Sequence, residues 1–260
     1  MKLKIVADTV LKQTIEQSNL LPDNEKVGVV AGTEFNLHSY KPLGEHIRIA
    51  LDGEFLKGRN TWVAYKPHVE ILQDDGLKVV GNFKAGDKLP TEVRLPIPYF
   101  SQRDNAYRPS GTCNVTSVAM CLYYYGVRPK RQSHQLEDEL FEEVTKRGWS
   151  RHSHDHLRQL FNAYGMKGNF KMAAPWEEVK RHLANGDPVI YSGKFTKFGH
   201  IIVLRGYDEK GWWVNDPWGE YFASGYRNKS GENLHYSYDL LRRLSYGGRD
   251  ATWAHLPTKE

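Results

Sequence analysis

Apolar and polar residues alternate along several short stretches in the first third of the chain. Ile47, Ile49 and Leu51 are separated by polar or small residues, the period of two expected of a half-buried β-strand. Turn-forming residues such as Gly32 separate these stretches. The pattern predicts a small all-β barrel of about five strands. Its clearest strands are predicted at residues 26–30, 34–38, 46–51 and 61–65.

Helical periodicity replaces this alternation in the middle of the chain. Residues 112–125 carry apolar side chains at helical spacing and predict a helix that stops at Gly126. Three more helices are predicted: one capped by Ser133 and ending at Gly148, one capped by Ser153 and ending before Gly165, and one starting at Pro175 and stopping near Asn185.

Strands return toward the end of the chain. One is predicted at residues 188–192, and two more, at 199–207 and from Trp212 onward, flank a turn and predict a hairpin. Helices followed by a sheet indicate an α+β architecture. The polar segment 84–92 contains Gly and Pro and is typical of a linker. We therefore expect an all-β domain at 1–88, a linker at 89–95 and an α+β domain at 96–260.

Charge and composition indicate which classes of partner the protein is expected to bind. The net charge is +5, but the basic residues are scattered and form no dense basic helix, so we expect no nucleic-acid partner. No apolar run approaches the ~20 residues that a membrane-spanning helix needs, so we expect a soluble protein and no membrane partner. The N-terminus meets a charge before a secretory apolar core can form. Synthesis in the cytoplasm without a signal peptide is expected.

The chain has two cysteines, Cys113 and Cys121, both on the first predicted helix. Eight residues at ~1.5 Å rise separate them by about 12 Å, beyond the ~7 Å limit for a disulfide, so free thiols are expected. Cys113 follows a glycine-containing turn at the helix start, where backbone N–H groups and the helix dipole stabilise a thiolate. Cys121, deeper in the helix, is expected to be an ordinary buried residue.

A cysteine nucleophile needs a base, and His200 begins an apolar strand directly after Gly199. The predicted hairpin returns Asn215 and Asp216 toward it. Either side chain can accept the imidazole N–H and orient the ring.

Four motifs in order resemble those of papain-like cysteine peptidases. They are Pro96-Ile-Pro-Tyr-Phe-Ser-Gln102, Gly111-Thr-Cys113-Asn-Val-Thr-Ser, Gly199-His200-Ile-Ile-Val-Leu-Arg-Gly-Tyr and Val214-Asn-Asp216-Pro-Trp-Gly. The relatives of bacteriocin-processing, double-glycine peptidases are the most similar branch. The resemblance implies a papain-like fold and a cysteine peptidase activity. We expect no cofactor.

The resemblance also implies residue roles. Cys113 is the nucleophile, His200 the general base, Asp216 the residue that orients it, and Gln102 a donor to the oxyanion beside the backbone N–H of Cys113. Asn215 would match papain itself, but Asp216 matches this branch. Two departures concern the oxyanion hole: Asn114 and Val115 replace the usual Gly-Pro after the cysteine, and the segment from Gln102 to Cys113 is longer than usual.

The histidines at 152, 154 and 156 alternate, but they straddle a helix start and no acidic or cysteine cluster accompanies them, so we expect no metal site.

Several substrates and two other functions stay open. The N-terminal strands resemble Src-homology-3-like domains in number and size, and this arrangement suggests a peptidoglycan-degrading endopeptidase of the endolysin kind, acting on the cell wall after release, with the first domain binding the wall. A leader peptide is another possible substrate. The alternatives are a non-catalytic papain-fold binding protein and a thioester acyl transferase. Oligomeric state is left open.

Overall fold

The computed structural model describes residues 1–259 apart from Asp75, Leu77, Gln132 and Lys229. The chain divides into two compact units, Met1–Pro90 with Ala184–Gly186, and Thr91–Leu183 with Asp187–Glu260. Within the described ranges, no helix has both the length and the apolar content needed to cross a bilayer.

The first unit consists of antiparallel strands around one apolar core. Its strands are β1 (Lys2–Ile5), β2 (Thr9–Lys12), β3 (Lys26–Val29), β4 (Glu34–Leu43), β5 (His46–Leu51), β6 (Thr61–Tyr65), β7 (Val69–Leu72) and β8 (Lys78–Val80). They pair in the order β3-β2-β6-β5-β4-β1-β7-β8. β4 pairs with both β5 and β1, and a bulge between Leu37 and Ser39 bends it so that the two halves of the sheet share the core.

The predicted all-β character of this unit is confirmed and is consistent with a Src-homology-3-like barrel. The expected strands near 26, 34, 46 and 61 are β3 to β6. The predicted number of about five strands was too low, because the described sheet has eight. The missed strands have four residues or fewer and thus too few inward side chains for a period of two to stand out.

The second unit combines helices with a seven-stranded antiparallel sheet, which confirms the predicted α+β class. The helices are α1 (Cys113–Tyr124), α2 (Leu136–Lys146), α3 (His154–Ala163), α4 (Trp176–Ala184) and α5 (Tyr238–Leu244). The strands are β9 (Val93–Arg94), β10 (Met166–Lys167), β11 (Phe170–Pro175), β12 (Val189–Gly193), β13 (His200–Tyr207), β14 (Gly211–Asn215), β15 (Glu220–Phe222), β16 (Gly225–Asn228), β17 (Leu234–Ser237), β18 (Ala251–His255) and β19 (Thr258–Lys259).

The α1 helix lies at the centre of this unit. It packs against β12 and β13 on one side and against α2 and α3 on the other. Its side chains from Asn114 to Leu122 are all buried, which explains why the helix is apolar on nearly every face. The main sheet runs β11-β18-β12-β13-β14-β17, with β9 also on β13. The predicted hairpin of β13 and β14 is present, with Val203 opposite Asn215.

Helix starts could be predicted only in part. Ser153 caps α3 as predicted, because its Oγ accepts the N–H of His156. Ser133 was the wrong cap for α2: the helix begins after Gln135, which caps it without a side-chain hydrogen bond. The Ser133 hydroxyl instead meets Nδ1 of His134 at 3.2 Å.

The Ser153 cap should be measurable in stability. Replacing Ser153 with Ala removes the acceptor for the His156 N–H, and we expect a loss of about 1 kcal/mol in the free energy of unfolding. Ser133→Ala is the matched control and should change stability by a few tenths of a kcal/mol or less. Urea denaturation followed by circular dichroism measures both; equal losses would contradict the assignment of the cap.

Candidate active site

The start of α1 meets the start of β13. Cys113 and Ser117 lie one turn apart on the helix face toward β13. The Ser117 hydroxyl donates to the Ile201 carbonyl at 3.3 Å, and the Ile201 N–H donates to the Cys113 sulfur. His200 precedes Ile201, and its side chain is hydrogen-bonded to Cys113. The structure thus brings the candidate nucleophile and base into direct contact.

Asp216 follows β14 and holds the other side of the His200 ring. His200 Nε2 lies 2.7 Å from Asp216 Oδ1, which leaves Nδ1 as the ring nitrogen for Cys113. The neighbouring Asn215 does not share this contact. Its amide nitrogen donates to the carbonyls of Ile97 and Pro98, and its oxygen accepts from the Asn233 N–H. Of the two residues considered from sequence, the structure brings Asp216 to the histidine.

The Asp216 carboxylate is completely buried and is held by further donors. The Trp218 N–H donates to Oδ1 at 3.0 Å, and the hydroxyls of Tyr226 and Tyr236 donate to Oδ2 at 3.1 and 3.2 Å. Burial and the Asp216 charge raise the pKa of both phenols, so they stay protonated donors. These tyrosines were missed from sequence, where nothing separates them from the other tyrosines of the chain.

Two glycines allow this close packing. A Cβ on Gly199 would lie 2.9 Å from the Tyr246 hydroxyl, and Gly199 also has a positive φ of 80° just before His200. A Cβ on Gly231 would lie 1.8 Å from the carbonyl oxygen of Asp216. The backbone N–H of Asp216 in turn donates to the Gly231 carbonyl. Any side chain at Gly231 would displace the backbone that carries Asp216.

The charges of the site favour a thiolate and an imidazolium. Burial opposes ionisation of Cys113, but the positive charge and hydrogen bond of His200 outweigh it, and the pKa of the thiol is lowered. Burial also opposes the charge on His200, yet the charges of Asp216 and Cys113 raise its pKa to about 10. Burial raises the pKa of the Cys121 thiol well above its usual range. The two shifts together favour a Cys113 thiolate beside a His200 imidazolium over the neutral pair.

Aromatic rings surround the His200 side chain, which is 6% exposed. Phe195 and Tyr226 meet it edge-on, with ring centroids 5.7 and 5.6 Å away. Exclusion of water by these rings strengthens the electrostatic interactions between Asp216, His200 and Cys113.

Gln102 lies on a short 3-10 helix, Gln102–Asp104, next to the loop that follows β14 and carries Asp216. Its backbone N–H donates to the Pro217 carbonyl, and its side-chain nitrogen donates to the Pro109 carbonyl at 2.7 Å. One N–H of the amide is therefore used to hold the turn before Cys113. The residue is buried at this turn, and its role as a donor to an oxyanion stays a prediction.

The histidines at 152, 154 and 156 do not converge. His154 Nδ1 lies 3.0 Å from Nε2 of His255, and His156 Nδ1 accepts the Ser150 N–H. Among the described residues, no group of three His, Cys, Asp or Glu side chains is placed to hold a metal ion. The same segment contributes a different residue to the site: Arg151, whose Nε donates to the Gly111 carbonyl at 2.9 Å.

Comparison with known proteins matches the second unit to peptidases. The model of the Peptidase_C39 like family matches residues 94–246. Among solved structures, a double-glycine motif protease from an AMS/PCAT transporter, in complex with its leader peptide, has 18% identity and a TM-score of 0.44, covering 65% of this chain and 95% of that one. A C39-like peptidase from Bacillus anthracis has 18% identity and a TM-score of 0.46, covering 66% and 99%. Among curated proteins, none matches.

The ion pair predicts unequal reactivity of the two thiols. With iodoacetamide at pH 7, Cys113 should be alkylated at least about tenfold faster than Cys121, since the pKa of the Cys113 thiol is lowered and that of the buried Cys121 thiol is raised. The advantage should persist at pH 6 and shrink in a His200→Ala variant. Peptide mass spectrometry measures both rates, and faster labelling of Cys121 would refute the assignment of the nucleophile.

Proposed function

Because the chain belongs to the Peptidase_C39-like family and is a cysteine peptidase, we propose that Cys113, His200 and Asp216 form its catalytic triad and cleave peptide bonds of bacterial peptidoglycan. The observation that carries the triad is the contact of Asp216 with His200 at 2.7 Å, together with the lowered pKa of Cys113 and the raised pKa of His200. These are the properties that a thiolate nucleophile and its acid–base partner require.

In the proposed reaction, the Cys113 thiolate attacks the carbonyl carbon and a tetrahedral oxyanion forms. The backbone N–H of Cys113 and the Gln102 amide stabilise this oxyanion. The imidazolium of His200 donates its proton to the departing amine, and a thioester remains on Cys113. Water then attacks the thioester while His200 accepts a proton, and the acid product leaves as the thiolate and imidazolium return. Asp216 keeps the His200 ring in one orientation throughout.

Two arginines beside the nucleophile support an acidic substrate. Arg151 is half-buried and anchored on Gly111, two residues before Cys113, and Arg108 begins the same turn. Burial lowers the pKa of Arg151, and the positive charge of Arg108 lowers it further, while the Cys113 thiolate raises it. No acidic residue of the described chain contributes to this shift. Stem peptides of peptidoglycan carry free carboxylates, which these guanidinium groups can bind.

The first unit fits this proposal as a wall-binding domain. Binding to a polymeric surface would raise the local concentration of the catalytic unit without changing its chemistry. The net charge of +5 adds a salt-dependent attraction to anionic wall polymers.

Digestion of purified peptidoglycan tests the proposal. The intact protein should release new amino termini and soluble fragments, and Cys113→Ala should release none because the thioester cannot form. Cys121→Ala is the matched control and should keep the activity.

Mass spectrometry of the fragments identifies the bond cleaved and separates hydrolysis from acyl transfer to an added amine. A wild-type protein that leaves peptidoglycan intact but cleaves a double-glycine leader peptide would overturn the substrate. If it cleaves neither, while binding either one, a non-catalytic binding protein would be indicated.

The arginine pair predicts a charge preference of the substrate. For two peptides that differ by Glu or Gln beside the cleaved bond, Arg151→Gln should lower kcat/KM for the Glu peptide by about tenfold to a hundredfold and leave the Gln peptide nearly unchanged. Arg147→Gln, which removes a partner of Glu143, is the control. An equal loss on both peptides would make Arg151 a structural residue of the turn.

A further inference from the structure

A pocket of about 510 Å³ in the first unit is lined only by residues of that unit. Its lining consists of residues of β2, Asp8 before this strand and residues of the loop after it, together with His46, Tyr65 and His68. This volume is within the range of pockets that hold small ligands. We call it the Lys12 pocket, after the lysine in its lining.

Lys12 differs from the other lining residues because it is a lysine that is almost completely buried. Its side chain is attached to β2, and the residue is only 8% exposed. Its ammonium donates to the Glu16 carbonyl and lies 3.4 Å from Nε2 of His46. Burial lowers the pKa of the amine, and no carboxylate of the described residues lies within ion-pair distance of it. A buried ammonium without a counter-charge is unfavourable, and an anion would remove that cost.

The other ionisable groups of the pocket do not supply this anion. Asp8 lines the pocket, but its carboxylate accepts the Ala31 N–H at 2.8 Å. Two of the three protons on the ammonium can be directed to Glu16 and His46, and for the third the described residues provide no further acceptor.

The lining also contains three aromatic rings. Tyr65 lies between two histidines, with its ring centroid 5.5 Å from that of His46 and 5.0 Å from that of His68. Nδ1 of His68 is buried and has no hydrogen-bond partner in the described part of the chain. At the pocket's edge, the side chain of Ile15 is 61% exposed. Rings and an exposed aliphatic side chain beside a cation fit a carboxylate attached to a peptide rather than a small inorganic anion.

We propose that the Lys12 pocket binds a carboxylate of a peptide. The Lys12 ammonium pairs with the carboxylate, and the rings of His46, Tyr65 and His68 pack against the adjoining peptide unit. The pocket's lining contains none of the proposed catalytic residues, and its ligand does not depend on the proposed cleavage of peptidoglycan. It gives the first unit a ligand of defined chemistry.

The test uses the intact protein and two probes, N-acetyl-trialanine with a free carboxylate and the same peptide as its carboxyl-terminal amide. Isothermal titration should show the acid binding at least about tenfold more tightly than the amide. In Lys12→Met this preference should disappear while the melting temperature is kept or raised, because a buried unpaired charge is replaced by an apolar side chain of similar length. Lys41→Met, at an exposed position of β4, should leave the preference unchanged.

Nuclear magnetic resonance of the wild-type histidine rings provides a readout that does not depend on a variant folding. The acid should shift the ring signals of His46 and His68, and the amide should not. Equal binding of acid and amide, an unchanged preference in a folded Lys12→Met, or tighter binding of inorganic phosphate than of the acid peptide would each overturn the proposal.

Discussion

The buried carboxylate of Asp216 is the constraint on which the rest of the site depends. A charged oxygen pair with no solvent contact is stable only if donors replace the lost water. Four donors do so here, from His200, Trp218, Tyr226 and Tyr236. They come from β13, β16, β17 and the loop after β14. Four separate segments of the second unit therefore meet at Asp216 to provide the hydrogen bonds that its carboxylate requires.

This constraint determines the state of the other two groups. His200 lies between Asp216 and Cys113, and its pKa is raised by both, so its positive charge is stable even though the ring is nearly inaccessible to water. The same charge lowers the pKa of Cys113 against the effect of burial. The helix start contributes as well, because Thr112 at the N-cap offers no side-chain acceptor to the first N–H groups of α1.

The parts of this site that sequence could predict are those with local patterns. A cysteine after a glycine turn, a histidine at a strand start and an aspartate at the end of the paired strand each have a recognisable neighbourhood, and the β13–β14 hairpin follows from two apolar stretches on either side of a turn. Tyr226, Tyr236 and Gly231 have no such pattern, since their importance arises only when distant segments meet at Asp216. The Pro109 partner of Gln102 could not be predicted for the same reason. In the first unit, the short strands β1, β2, β7 and β8 were missed because pairing with neighbouring strands, rather than their own sequence, defines them.

The protonation state of His200 in the free protein tests the account most directly. Nuclear magnetic resonance of the nitrogen-15-labelled ring, followed over pH, should find an imidazolium at pH 7 that loses its proton near pH 10, with Nε2–H bonded to Asp216. In Cys113→Ala, the loss of the thiolate charge should lower that pKa. A neutral His200 ring at pH 7, or a pKa that does not change when Cys113 is removed, would contradict the thiolate–imidazolium pair.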